Sequence, residues 1–514
     1  YIGTINMGDT AAVTLSTLNV QAGQLYDIKF YTGMPNGIAD ERPVNDTLSI
    51  NGLKTGLVGN YTLDASQASS ATNYTSFSSL ADDLNNFGVC GAVSVDVAAG
   101  VYNDVFHLNN IGGVSAANRV TIDGVDSSLA RLTNNLSSAD AVMDFMGASY
   151  ITVKNMTIES SYTGSGDYAV VHYGAAANYD SLINCHILLD PTNTSGGMGI
   201  GASTSADNDL GEGDNANFTV IMNNHVEGGS YSIHFEGKST GEWNVGNEFI
   251  NNTLYNMDDY GIYLDQQDSV SVIGNHISGN RSSFGDGIYA FDAMNFICNK
   301  NFVHSPDYGI YWADANSDKT RDRIAEVNNN MVISDGDYGI YMTDAVDVNV
   351  MHNSVYVEGS SPAFRVFGSL SSGLDVRNNI FTSLNSEAFE SGEPDTIFIK
   401  LDYNLYNSNG PVLINIDGTG YATLAGYQSV NPILNTASLE GNPQFISNID
   451  LHILGSFVDG QGDGSVGITE DIDGDPRPMP GATNVDIGAD EFDPPSCPRP
   501  LNFTYYNSSI DSVT

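Results

Sequence analysis

The sequence predicts an all-β solenoid, a stack of coils built from short strands. Three observations predict it. One phrase recurs four times, as YGIYLD (260–265), DGIYAFD (286–292), YGIYWAD (308–314) and YGIYMTD (338–344). Its glycines, Gly261, Gly287, Gly309 and Gly339, stand 26, 22 and 30 residues apart. A period in the twenties without heptads marks a repeat whose unit is one supersecondary motif. Asn-rich phrases fall between the copies: VIGNHI (272–277), ICNKNFV (297–303), VNNNMVI (327–333) and VMHNSVY (350–356). The composition agrees, with 54 Gly and only 15% charged residues, which suits short strands joined by tight turns. A chain of 514 residues exceeds one ordinary core, and a repeat array accommodates that length.

Taken in order, residues 1–50 read as the end of a β-sandwich. AAVTLSTLNV (11–20) and LYDIKFYTG (25–33) alternate as strands do. The later phrase NDTLS resembles the last strand of bacterial surface immunoglobulin-like modules. Residues 51–92 read as linker and cap. TSFSSLADDLNNFGV (75–89) is an amphipathic helix, with Thr75 or Ser76 as N-cap and Phe77, Leu80, Leu84 and Phe87 on one face. Such a helix covers an end that would otherwise expose apolar side chains and strand edges.

Residues 93–492 are the array, opening with VSVDVAAGVYND (93–104). Asn at 155, 184, 223, 252, 275, 299, 329, 353, 378 and 404 mark successive coils. Two polar insertions interrupt them, TSADNDLGEGDNANF (204–218) and ADANSDKTRDRIAE (313–326), and such insertions map to loops outside a coil. Residues 493–514 begin another module. DPPSCPRP is a Pro-rich linker, and LNFTYYNSSIDSVT resembles the first strands of a fibronectin type III module. The chain opens in mid-strand at Tyr1 and is read as a segment of a larger multidomain protein.

The recurring Asn has a physical reason. It tolerates the left-handed conformation of a sharp turn, and its amide can bond the equivalent Asn of the next coil. Within G-I-Y-x-x, Ile262, Ile288, Ile310 and Ile340 are expected to stack in the core. Leu264, Ala290, Trp312 and Met342 form a second inward row, and the tyrosines stack outside. These GIY and Asn phrases resemble the right-handed parallel β-helix, or pectate-lyase-like, superfamily of secreted bacterial proteins. EDIDGDPRP (470–478) with NVDIGADEF (484–492) is similar to the segment that closes many such proteins. The resemblance implies a right-handed single-stranded parallel β-helix and an extracellular or cell-surface location. It implies no activity, because this fold hosts lyases, hydrolases, adhesins and stalks alike.

The formal net charge is −45, which argues against nucleic acid or direct insertion into an anionic membrane. No stretch is long and apolar enough to span a bilayer. The 4 Cys make no disulfide framework, and Cys185 and Cys298 read as buried thiols.

A lyase acting on uronates needs a basic residue and a cation beside its substrate. Basic residues are sparse, and their one cluster, Lys319, Arg321 and Arg323, lies in an insertion. No catalytic residue is assigned. Asp265, Asp292, Asp314 and Asp344 recur after the repeat tyrosines and read as turn starters. Calcium is a possible cofactor at two acidic loops: Asp207, Asp209, Glu212 and Asp214, and the alternating Asp471, Asp473 and Asp475. Tyr263, Tyr289, Tyr311 and Tyr341 are a candidate platform for sugar rings. The expected function is therefore a non-enzymatic adhesin or rigid spacer, with surface glycans or cell-surface proteins as partners. A polysaccharide lyase or hydrolase, or a glycan-binding module, is the alternative.

Overall fold

Three parallel sheets run the length of the computed structural model. It describes residues 11–14, 17–18, 20, 25–34, 47–134, 140–164, 166–190, 196–238, 243–279, 284–318 and 325–492. Each coil visits the sheets in turn. Tyr260–Asp268 lies in the first, Ser271–Ile273 in the second and His276–Ser278 in the third, and Asp286–Met294 re-enters the first. The chain is a right-handed single-stranded parallel β-helix.

The repeat phrase fills the first sheet as its alternation requires. Ile262, Ile288, Ile310 and Ile340 pair coil to coil, and the row continues into Phe364, Phe389 and Ile414. Leu264, Ala290, Trp312 and Met342 form the second inward row, and all eight repeat residues are fully buried. The glycines answer to crowding. A Cβ on Gly309 would lie 2.2 Å from Val332 Cγ1 and 2.5 Å from the Gly339 carbonyl oxygen. The strand enters the first sheet so close to the third that no side chain fits there.

The Asn phrases divide two jobs between adjacent residues. Asn155, Asn184, Asn223, Asn329 and Asn378 take positive φ at the turn between the second and third sheets. The following position carries a buried amide ladder of Asn224, Asn252, Asn275, Asn301, Asn330, Asn353, Asn379 and Asn404. From Asn224 to Asn379, each Nδ2 donates to the Oδ1 of the next ladder Asn at 2.9–3.1 Å. The residues expected to form one series thus belong to two. Gly274, Lys300, His352 and Tyr403 occupy turn positions beside ladder amides, whereas Asn299 ends a strand. An amide that must point inward cannot also sit at the left-handed corner. Cys185 precedes Asn224 in this row, and its N–H is accepted by Asn224 Oδ1 at 2.9 Å.

Helix α1, Phe77–Phe87, caps the N-terminal end with Ser76 as N-cap. Its Phe77 meets Phe106 and Tyr102 edge-on, with ring centroids 5.6 and 5.4 Å apart. Leu57–Leu63 already pairs with Val89–Val97, so the stack extends back into the stretch read as linker and cap. At the other end, helix α2, Leu424–Gln428, buries Leu424 and Tyr427 over the last coil.

The segment expected to close the array does so from the side. Ile453, Val458 and Ile487 pack with Ile380 and Leu405, and Leu451 and Ala489 pack with Met331 and Ile333, on the outer face of the third sheet. Arg477 and Glu491 form a 2.9 Å ion pair with almost no exposed surface. Of residues 1–50, the described part is mainly one antiparallel hairpin, Leu25–Tyr31 with Thr47–Lys54. The Lys319 cluster and the module expected over 493–514 lie outside the described residues.

Candidate functional site: a tyrosine face on the first sheet

The outward positions of the first sheet form a register line through His107, Asp144, His172, Gly201, His234, Tyr263, Tyr289, Tyr311, Tyr341, Arg365 and Glu390. The four anticipated tyrosines are neighbours, with successive ring centroids 5.1, 4.9 and 5.0 Å apart. A second row flanks them three residues earlier on each coil: Tyr231, Tyr260, Asp286, Tyr308 and Tyr338. The result is a double aromatic face. Its sequence signal was the first Tyr of each YGIY phrase, whose ring packs beside the second.

Ring orientation changes along the face. His234, Tyr263 and Tyr289 are parallel to within 4°. Between Tyr289 and Tyr311 the plane turns by 74°. At that coil the second row carries Asp286, 5% exposed, in place of a ring between Tyr260 and Tyr308. Arg365 closes the far end, its guanidinium 5.1 and 5.2 Å from the centres of Tyr338 and Tyr341, with Glu390 at 3.4 Å. Burial pushes the Tyr260, Tyr289 and Tyr311 hydroxyls up to about 12, so all stay neutral donors at physiological pH.

At the head of the face sits a cluster that the sequence did not single out as one. His234 has no exposed surface, and Glu236 is 3% exposed. Both ring nitrogens of His234, Glu236 Oε2 and Asp265 Oδ1 are buried without a hydrogen-bond partner. His234 Nε2 stands 3.6 Å from Glu236 Oε2, and Glu236 pairs in register with Asp265. Burial, then the charges of Glu236 and Asp292, push the Asp265 carboxyl up to about 8. Asp265 is also a correction. Asp314 and Asp344 do start turns at positive φ, and Asp292 takes positive φ within its strand, but Gln266 holds that place on the Asp265 coil. YGIYLD is one residue shorter than its sister phrases, so Asp265 stays in the strand and points outward.

The first insertion folds against this cluster. Gly213 N–H donates to the Gly237 carbonyl at 3.0 Å, and Asn215 Nδ2 to the Glu236 carbonyl at 2.7 Å. Asp209 hydrogen-bonds Tyr231 and Asp167. Asp207 accepts from Ser205 Oγ, and Asp214 from Asn217 Nδ2. Among the described residues, no three of the carboxylates Asp207, Asp209, Glu212 and Asp214 gather round one point.

Asp471, Asp473 and Asp475 do not converge either. Asp471 is buried and accepts from the N–H groups of Asp473, Asp475 and Glu491 at 2.8–3.0 Å, which makes it the staple of a turn. Asp473 turns instead to His452 Nε2 at 2.8 Å. His452, Asp473 and Asp490 are the one converging trio of potential metal ligands among the described residues. Each already has a partner: His452 Nδ1 bonds Asp450, and Asp490 Oδ2 accepts from Ile453 N–H at 2.7 Å.

Asp144, His172 and Ser203 form a further chain, with Asp144 Oδ1 at 2.8 Å from His172 Nδ1 and Ser203 Oγ at 3.2 Å from Nε2. Nucleophilic catalysis uses that order of groups. Here His172 and Ser203 have no exposed surface, and Ser203 Oγ donates to the Ser205 carbonyl at 2.8 Å. The chain anchors the start of the insertion.

A family model described as NosD, a periplasmic copper-binding protein, matches residues 187–325. No curated protein matches the chain. Among solved structures, the Azotobacter vinelandii mannuronan C-5 epimerase AlgE6 A-module is 11% identical with a TM-score of 0.49, covering 75% of this chain and 100% of that one. A GH136 lacto-N-biosidase from Eubacterium ramulus is 11% identical with a TM-score of 0.32, covering 70% and 65%. The rice weevil pectin methyl esterase is 12% identical with a TM-score of 0.28, covering 57% and 80%. None of these likenesses bears on the chemistry of the face. No helix among the described residues is long and apolar enough to cross a membrane.

Proposed function

We propose that this is a secreted or periplasmic carbohydrate-active protein that lays a glycan along the tyrosine face and cleaves it at Glu236 and Asp265. The observation that carries the reading is the in-register pair of Glu236 and Asp265 at the head of the face, with Asp265 pushed up to about 8. Glycosidic cleavage asks for one carboxyl with a proton to give and one carboxylate. Asp265 gives its proton to the bridging oxygen as the bond to the anomeric carbon breaks. Glu236 bonds the anomeric carbon as that bond breaks, and a water then displaces Glu236 while giving its proton to the Asp265 carboxylate. Adjacent strands lie about 4.8 Å apart, near the ~5 Å separation of the two carboxyls in retaining hydrolases. The tyrosines supply apolar area with polar tips, which suits sugar rings.

Reducing-end release across a panel of polysaccharides tests it. Turnover is expected, falling by about 10²-fold or more in Asp265→Asn and Glu236→Gln with the far-UV spectrum unchanged. Absence of turnover on every polysaccharide, with binding on a glycan array retained, overturns cleavage and leaves a glycan-binding module. An adhesin or spacer is the second reading, favoured by the unbroken amide ladder. A dozen coils at about 4.8 Å make a stiff rod of about 60 Å.

A further inference from the structure

The face that would hold the glycan is acidic on both sides. Asp259, Asp307 and Asp337 lie along the edge where the strands enter, and their charges act on Asp286. Asp292, Asp314 and Asp344 line the edge where the strands leave, with burial and mutual repulsion raising Asp292 and Asp314. Of the described strands in this sheet, one carries Lys or Arg, namely Phe364–Phe367 with Arg365. That residue is already matched to Glu390.

We infer that the glycan taken by this face carries free amino groups, and that its ammonium groups are received at Asp286 and beside Glu236. This inference rests on the reading of the face as a glycan site. Three observations carry it. First, Asp286 interrupts the second tyrosine row, so a carboxylate stands among Tyr260, Tyr289 and Tyr308. Aromatic walls around a negative charge attract an ammonium group. Second, the fold displays the interaction itself three coils further on, where the Arg365 guanidinium lies over Tyr338 and Tyr341. Third, Glu236 Oε2 and Asp265 Oδ1 are buried without a donor, and an ammonium group supplies donors without adding negative charge. A uronate chain would instead bring carboxylates against carboxylates, and like charges at this range are repelled.

Equilibrium binding to the full chain at low salt separates the cases. The probes are an oligomer of glucosamine, its fully N-acetylated counterpart of equal length, and an oligo-uronate, each measured with calcium and with a chelator. The glucosamine oligomer is expected to bind about tenfold tighter than the acetylated one. The margin is expected to shrink at high salt, and to be largely lost in Asp286→Asn, where an oxygen remains to accept from the Tyr308 N–H. Asp259→Asn, on the half-buried edge where the strands enter, is expected to reduce the margin by a smaller factor. Equal binding of the amino and acetylated oligomers overturns this inference and leaves the glycan site standing. Tighter binding of the uronate, with or without calcium, overturns it too. Failure of all three oligomers to bind overturns the glycan site and this inference together.

Discussion

Asn301 and Asn330 share one oxygen: Asn330 Oδ1 accepts the Asn301 side-chain N–H at 3.0 Å and the Asn301 backbone N–H at 2.9 Å. Both residues are fully buried. One amide therefore satisfies two donors of the coil before it, while its own Nδ2 serves Cys298 O and Asn353 Oδ1. Asn330→Ala strands donors and acceptors in a dry interior. Each costs about 1–3 kcal/mol when left unmade, so the variant is expected to lose at least about 3 kcal/mol. The urea midpoint of unfolding measures this; a midpoint unchanged from wild type would show that the ladder adds little.

Gly309→Ala is expected to destabilise by several kcal/mol, because the new methyl meets Val332 and the Gly339 carbonyl together. Adding Val332→Ala removes the movable obstacle and is expected to restore part of the loss. The backbone oxygen remains, so full recovery in thermal melts would contradict the geometry.

Asp265 imposes a pH dependence of definite sign. Its carboxyl is raised in the folded state to about 8, against about 3.9 in an unfolded chain. Between those values the folded state binds more protons, so this group makes stability fall as pH rises from about 4 to 8. Asp265→Asn removes that contribution. The stability of the variant relative to wild type is expected to grow across that interval, as read by chemical denaturation at several pH values. A difference independent of pH would place Asp265 in water.

Arg477 and Glu491 hold the C-terminal segment against the third sheet. Arg477→Met leaves a buried carboxylate without its partner, a loss of about 3–5 kcal/mol. The expected result is faster proteolysis and hydrogen exchange across 445–492, with the coils before residue 300 unaffected. Uniform acceleration along the chain would mean that the segment and the stack unfold as one unit.

His452 works in the same pH sense as Asp265, in a higher pH window. Burial opposes its charge, but the hydrogen bonds that its ring donates to Asp450 and Asp473 prevail and hold its imidazole above the ordinary range. Its contribution is full below the unfolded value and is lost as pH rises through the folded one. His452→Gln is expected to cost stability at acidic pH and little at alkaline pH, by the same denaturation series.

Much of the solenoid was legible because each coil repeats one chemical sentence. Ile262 and its counterparts announced an inward row by alternation, and the capping helix announced itself through Phe77, Leu80 and Leu84. The amide ladder was half legible. The Asn residues were visible, but their split between a corner and an inward amide depends on φ at adjacent positions, which composition does not encode. The acidic loops were visible as residues, but their partners were not. Asp471 looks like a metal ligand in its D-x-D-G-D run, yet three backbone N–H groups occupy it.

The sequence by itself determined that this chain stacks coils, which faces its Ile and Tyr rows occupy, and how one end is capped, because all of these follow from local period and polarity. Only the tertiary structure decided what stands beside what. Register set Asp265 against Glu236, one residue out of step with the other repeat aspartates. Packing brought the Tyr260 ring next to Tyr263, and the insertion folded back onto Glu236. These are contacts between coils, fixed by strand pairing over roughly one repeat of separation. A sequence read along a single strand shows the residues but not the neighbours that stacking gives them.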